Sequence, residues 1–161
     1  MIKFRNIGGY KNAQNIAHIP TTVELHNGMV VTVDMTQNTL ALPSAGTAKG
    51  EVYLVMNRYD KPEVNSPNEY VIEVGERPRL FMVTSLSGVV LDCDTDQITS
   101  SYSSINVGDK LTAGTDGKLA VNASTDDFLT YFLVIEKNTF GGEGLGIQVV
   151  VQAPKAAGVG G

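Results

Sequence analysis

From Thr22 to Gln152 the chain is cut into short apolar runs by glycine, proline or Asn-Gly signals, roughly every 8–12 residues. The runs are rich in Val, Ile, Thr, Tyr and Phe, the residues that suit a half-buried pleated surface. Examples are VTVD after Asn27-Gly28, EVYLVMN, LFMVTS and IQVVVQ. No segment carries a sustained 3.6-residue period, so the spacing predicts an all-β chain. The expected architecture is a single compact β-barrel or β-sandwich of about nine or ten short strands. That domain spans residues 21–152, with an extended N-terminal arm over 1–20 and a flexible C-terminal tail over 153–161.

Strands are expected near Thr22–His26 and Met29–Asp34, joined as a hairpin by Asn27-Gly28 in a type I′ turn. Others are expected at Glu51–Asn57, Tyr70–Val74, Leu80–Ser85, Val89–Asp92, around Ile98, and at Ile147–Gln152. Lys110–Ala113 and Lys118–Val121 flank Gly114-Thr115-Asp116-Gly117, a reversal whose glycines tolerate left-handed backbone. MTQNTLALPSAGTAKG reads as a polar connection.

Phe128–Glu136 (FLTYFLVIE) differs from the rest because it is apolar on both alternating faces. Phe128, Phe132 and Val134 point one way, and Leu129, Tyr131, Leu133 and Ile135 the other. Such a strand is central in a packed structure or has one face covered by a partner. The second set is therefore the candidate self-association surface. In the arm, Ile2, Phe4, Ile7, Tyr10 and Ile16 are candidate anchors on a partner.

Charge argues against several functions. Only 18% of residues are charged, the net charge is −5, and no run of Lys or Arg offers a phosphate-binding face, so no direct nucleic-acid contact is expected. Cys93 is the only cysteine, which excludes an intrachain disulfide, and with His18 and His26 it is too few for a Cys/His zinc site. No apolar stretch reaches membrane-spanning length, and MIKFRNIGGYKN lacks the apolar core of a secretory signal, so synthesis in a cytoplasm is expected.

The strongest chemical motif is Asp92-Cys93-Asp94-Thr95-Asp96, with carboxylates at alternate positions as at the start of a calcium loop. An EF-hand then needs Gly at its sixth position and Glu at its twelfth, and these hold Gln97 and Ser103. A looser calcium site and a solvated acidic loop remain as readings. Aspartates beside Cys93 make it a poor nucleophile. NTFGGEGLG lacks the GK[ST] ending of a phosphate loop, and Asp126-Asp127 reads as a turn. No catalytic residue, metal site or cofactor is expected, and the chain reads as a non-enzyme.

The hairpin VGDKLTAGTDGKLAV, the preceding GERPRLFMVTSLSG and the ending FLTYFLVIEKNTFGGEGLGIQVVV resemble the decoration, or cement, proteins of tailed-bacteriophage heads. The resemblance implies a structural virion protein on the capsid exterior, made in the host cytoplasm. Its partner would be the major capsid protein, and it would stabilise the shell by bridging capsid subunits as a homo-oligomer, a trimer ahead of a dimer. The alternative is a receptor- or glycan-binding β-module of a virion fibre or tail, which grouped exposed tyrosines and a ligand groove would favour.

Overall fold

The run Glu51–Asn57 buries side chains on both sides of its backbone, with Tyr53, Leu54 and Val55 at 5%, 0% and 0% exposure. A strand sealed on both faces needs a layer above and a layer below it. The computed structural model, which describes residues 1–5, 13–57, 69–140 and 144–153, supplies both. The largest sheet has six strands in the order β1 (Ile2–Phe4), β9 (Val90–Asp94), β13 (Leu145–Gln152), β12 (Tyr131–Thr139), β10 (Lys110–Ala113) and β11 (Leu119–Val121). The middle sheet has five, ordered β2 (Asn15–Ile16), β8 (Leu80–Met82), β6 (Tyr53–Val55), β4 (Val30–Asp34) and β5 (Thr39–Ala41). A two-stranded ribbon pairs β3 (Leu25–His26) with β7 (Val71–Ile72). Every pairing within these sheets is antiparallel.

Alternation along the middle sheet divides the apolar side chains between two cores. Val30, Leu54 and Phe81 face the six-stranded sheet and pack with Ile2, Leu91, Cys93, Phe132, Val134, Ile147, Val149 and Val151. Val31, Tyr53, Val55 and Leu80 face the other way, against Leu25, Ile72, Ile19 and Tyr70. Each fully buried Leu, Val or Phe contributes about 1.5–3 kcal/mol of hydrophobic stabilisation. The all-β class read from sequence holds, with sheets stacked as in a sandwich.

Three strands, β1, β2 and β5, lie where none was expected. Residues 2–4, read as part of a loose arm, form an edge strand on β9, with Ile2 opposite Cys93 and Phe4 opposite Leu91. Asn15–Ile16 likewise pairs with Phe81 and Leu80 on β8. Thr39–Ala41 falls in the stretch read as a connection. Its turn is set by the Asp34 carboxylate, which accepts from the amides of Thr36 (2.8 Å) and Gln37 (2.9 Å), and by Asn38 at φ +53°. Leu40 then points inward at 1% exposure while its neighbours are exposed.

The Asn27-Gly28 hairpin is corrected. Gly28 has φ +94° but Asn27 does not enter the left-handed region, so the turn is not type I′. The strands on either side diverge, β3 pairing with β7 and β4 with β5 and β6. The cause is Asn27, which is buried and fastened to Asn57: its Oδ1 accepts from the Asn57 amide at 2.6 Å and its Nδ2 donates to the Asn57 carbonyl at 3.2 Å.

Candidate functional site

Three stretches singled out in the sequence meet at one edge of the molecule. They are the Asn27-Gly28 turn, the end of the Asp92–Asp96 motif, and the Gly114–Gly117 reversal. Gly117 (φ +77°) accepts the Val30 amide at its carbonyl, 2.7 Å away, which fixes the hairpin tip to the start of β4. Ile98 makes a parallel bridge to Leu119, and the Thr99 amide donates to the Leu119 carbonyl at 2.9 Å. Asp116 locks the tip, accepting from the Lys118 amide (3.0 Å) and the Thr99 hydroxyl (3.0 Å).

Between these segments lies a cleft of about 190 Å³ lined by His26, Met29, Asp96, Gln97 and Lys118. The His26 amide donates to Met29 Sδ at 3.2 Å, and His26 Nε2 stands 3.9 Å from Glu24 Oε1. Gln97, in the 3-10 turn Thr95–Gln97, is 7% exposed, and its Oε1 has no hydrogen-bond partner among the described residues. The Lys118 ammonium makes no hydrogen bond or ion pair among them either. Sequence reading missed Gln97 and Lys118, because neither type in those turns signals chemistry without the fold.

The other carboxylates of the motif point elsewhere. On β9, Cys93 faces the core, while Asp92 and Asp94 lie on the opposite side of the strand. Asp94 pairs with the amino group of Met1, and Asp92 lies 3.4 Å from the Arg5 guanidinium. Among the described residues no three His, Cys, Asp or Glu side chains gather to hold a metal ion. Burial pushes the Cys93 thiol far up; the nearby Met1 ammonium opposes this, and Asp94 and Asp92 add to it. Asp127 meets Lys49 at 3.1 Å on the exposed surface, and His18 is exposed.

The arm residues are divided. Ile2 is in the first core at 2% exposure, Phe4 packs edge-on to Phe81 with ring centroids 5.4 Å apart, and Ile16 is half-buried against the second core. Ile7 and Tyr10 lie outside the described residues. Among the described residues the tyrosines form no exposed group: Tyr53 and Tyr70 are buried, and Tyr102 and Tyr131 are half-buried beneath Lys137 and Lys110.

The two faces of FLTYFLVIE separate along β12. Phe132 and Val134 enter the first core, and Phe128 packs against it. Tyr131 and Leu133 stand on the opposite face, half-buried and in neither core, with Ile135 39% exposed at a bulge between Val134 and Glu136. Leu129 precedes the strand and is 44% exposed. Val90, Val150 and Leu133 are successive cross-strand neighbours, so they make one apolar row across β9, β13 and β12 that ends at Lys110 on β10.

The fold thus defines a class, an antiparallel β-sandwich with a third, two-stranded layer. No protein family matches the chain, and neither curated proteins nor solved structures show a significant match to it.

Proposed function

We propose that this chain is a structural virion protein that decorates the outside of a bacteriophage capsid and bridges neighbouring subunits. The observation that supports it most is the apolar row Val90–Val150–Leu133, with Tyr131 and Ile135, on the side of the six-stranded sheet away from the core. Apolar side chains in a contiguous row outside the core mark a contact surface. The resemblance of the Val107–Val121 hairpin to cement proteins supplies the kind of particle. The row, with Leu129, Tyr131, Leu133 and Ile135, serves self-association into a homo-oligomer, for which three-fold capsid positions favour a trimer. Ile7 and Tyr10 remain arm residues assigned to the major capsid protein, whereas Ile2, Phe4 and Ile16 are engaged in the chain's own sheets.

The mechanism is linkage. A protein that binds only the assembled shell shifts the equilibrium against rupture, and many copies make modest affinity per copy sufficient. Purified protein mixed with undecorated expanded heads should co-sediment with them. Ile135→Glu, which places a charge on an exposed site of the row, should lower the sedimented fraction and the oligomeric state measured by analytical ultracentrifugation. Wild-type protein that stays wholly in the supernatant would refute the reading.

A further inference from the structure

We propose that Asn27 is a deamidation site guarded by the fold: it converts only when the chain opens, and the converted chain no longer closes as the native one does. Asn27 is the one asparagine in the sequence that is followed by glycine. Glycine has no side chain to hinder attack by its own nitrogen, so this peptide bond is the one most open to succinimide formation. The Gly28 nitrogen loses its proton to solvent base and attacks Asn27 Cγ. The Cγ–Nδ2 bond breaks, ammonia leaves with a proton taken from water, and a succinimide ring closes. Water then opens the ring at either carbonyl and ends as a carboxylate. One opening leaves an aspartate. The other leaves an isoaspartate, whose main chain runs through Cγ.

In the folded chain both reacting groups are held. The Gly28 amide donates to the Val55 carbonyl at 2.8 Å, so the nucleophile keeps its proton. The Asn27 side chain is fixed on residue 57, with Oδ1 accepting from the Asn57 amide at 2.6 Å and Nδ2 donating to the Asn57 carbonyl at 3.2 Å. Asn27 is 4% exposed, which keeps out the base and the water that the reaction needs. The three bonds run to Val55 and Asn57, at and just beyond the end of β6, and the Met1–Ile2 backbone packs close to Gly28 as well. Flexing of the turn alone therefore does not free the site; β6 and β1 must leave it. The products are excluded by the same contacts. A carboxylate oxygen in place of Nδ2 cannot donate to the Asn57 carbonyl and sets a buried negative charge against it. An isoaspartate adds a methylene to the main chain and moves the Gly28 amide off Val55. Residue 27 thus keeps a chemical record of the time a chain has spent unfolded.

The test incubates the whole chain at mildly alkaline pH, in buffer and in urea above its unfolding midpoint. A synthetic peptide of residues 24–30 in both solvents corrects for the effect of urea on the chemistry. Peptide mass spectrometry follows conversion at residue 27, and isoaspartyl methyltransferase labels the isoaspartate. The unfolded chain should convert as the peptide does. The folded chain should convert at least about a hundredfold more slowly, since a typical domain is unfolded only about 10⁻³–10⁻⁶ of the time. Asn27→Asp, which builds one product directly, should unfold at lower urea than wild type in neutral buffer or fail to fold. The proposal is overturned if Asn27 stays intact in the unfolded chain, if folding slows its conversion by less than about a hundredfold, or if Asn27→Asp is as stable as wild type. The measurements use free protein, so they do not depend on shell binding.

Discussion

Gly28→Ala tests whether the turn and the first strand are built against each other. A Cβ at Gly28 would sit 2.6 Å from the Ile2 backbone nitrogen, 3.0 Å from the Met1 carbonyl carbon and 2.9 Å from Gln97 Cγ. Two of those atoms are backbone and cannot swing aside. The φ of +94° adds left-handed strain on the order of 1–3 kcal/mol for any side chain. Overpacking adds about 1–3 kcal/mol more. Gly88→Ala is the control, since Gly88 has φ +81° and nothing within 4 Å of its would-be Cβ. It should lose only the strain, about 1–2 kcal/mol. Gly28→Ala should lose at least about 2 kcal/mol beyond that, roughly 4–8 °C in Tm for a chain of this size. Urea unfolding followed by circular dichroism gives the free energies, and hydrogen exchange should show faster exchange of the Ile2–Phe4 amides in Gly28→Ala alone. Equal losses in the two variants, or unchanged protection of that strand, would refute the reasoning.

Three further outcomes follow from the buried groups. Because burial raises the Cys93 thiol and an unfolded thiol ionises near about 8.5, the native state holds the extra proton above that pH, and stability falls as pH rises, by up to about 1.4 kcal/mol per unit. Tyr53, raised by burial and then by Glu51, extends the loss above about pH 10. Urea midpoints from pH 7 to 10 should show the decline, and Cys93→Ala should flatten it below pH 10; an unchanged slope counts against this assignment. Asp94→Ala, which removes the carboxylate paired with the buried Met1 ammonium, should cost about 3 kcal/mol in urea unfolding, and acetylating that amino group in the variant should restore part of it. Phe132→Ala, 1% exposed in the first core, should cost about 3–5 kcal/mol by the same assay, whereas Leu129→Ala, 44% exposed, should cost under about 0.5 kcal/mol.

How much the sequence disclosed depended on how local each signal was. The strands in the two most apolar runs were legible because their patterns are internal: EVYLVMN is apolar from Val52 to Met56 and buries both faces, and FLTYFLVIE divides its side chains as alternation requires. The hairpin around Gly114–Gly117 was legible because its strands pair with each other, Ala113 opposite Leu119. What stayed hidden depends on residues far apart in the chain. Nothing within IKF announces that it will pair with residues 91–93, and Asn-Gly ordinarily signals a hairpin until the Asn57 backbone competes for the buried Asn27 side chain. Thr39–Ala41 is too short to carry a period, and its strand exists because Asp34 closes the turn before it.

The same reasoning explains why the cleft beside Gly117 had no sequence signature. Its residues come from positions 26–29, 96–97 and 118, and each stretch alone looks like an ordinary turn. They meet because β4 begins under Gly117, Ile98 bridges Leu119, and Gly28 leaves space for Met1, Ile2 and Gln97. Two of those three contacts are backbone hydrogen bonding, and the third requires the absence of a side chain. Gly28 and Gly117 are therefore what bring these polar side chains together. An alanine at Gly117, whose Cβ would lie 2.7 Å from Met29 Cε and 3.3 Å from the Val30 carbonyl oxygen, should distort the cleft from the hairpin side. In the ¹⁵N–¹H spectrum of the free protein, the amides of residues 26–29 and 118 should move from their wild-type positions while those of β12 and β13 keep theirs. Unmoved amides at residues 26–29 would show that the hairpin tip does not shape the cleft.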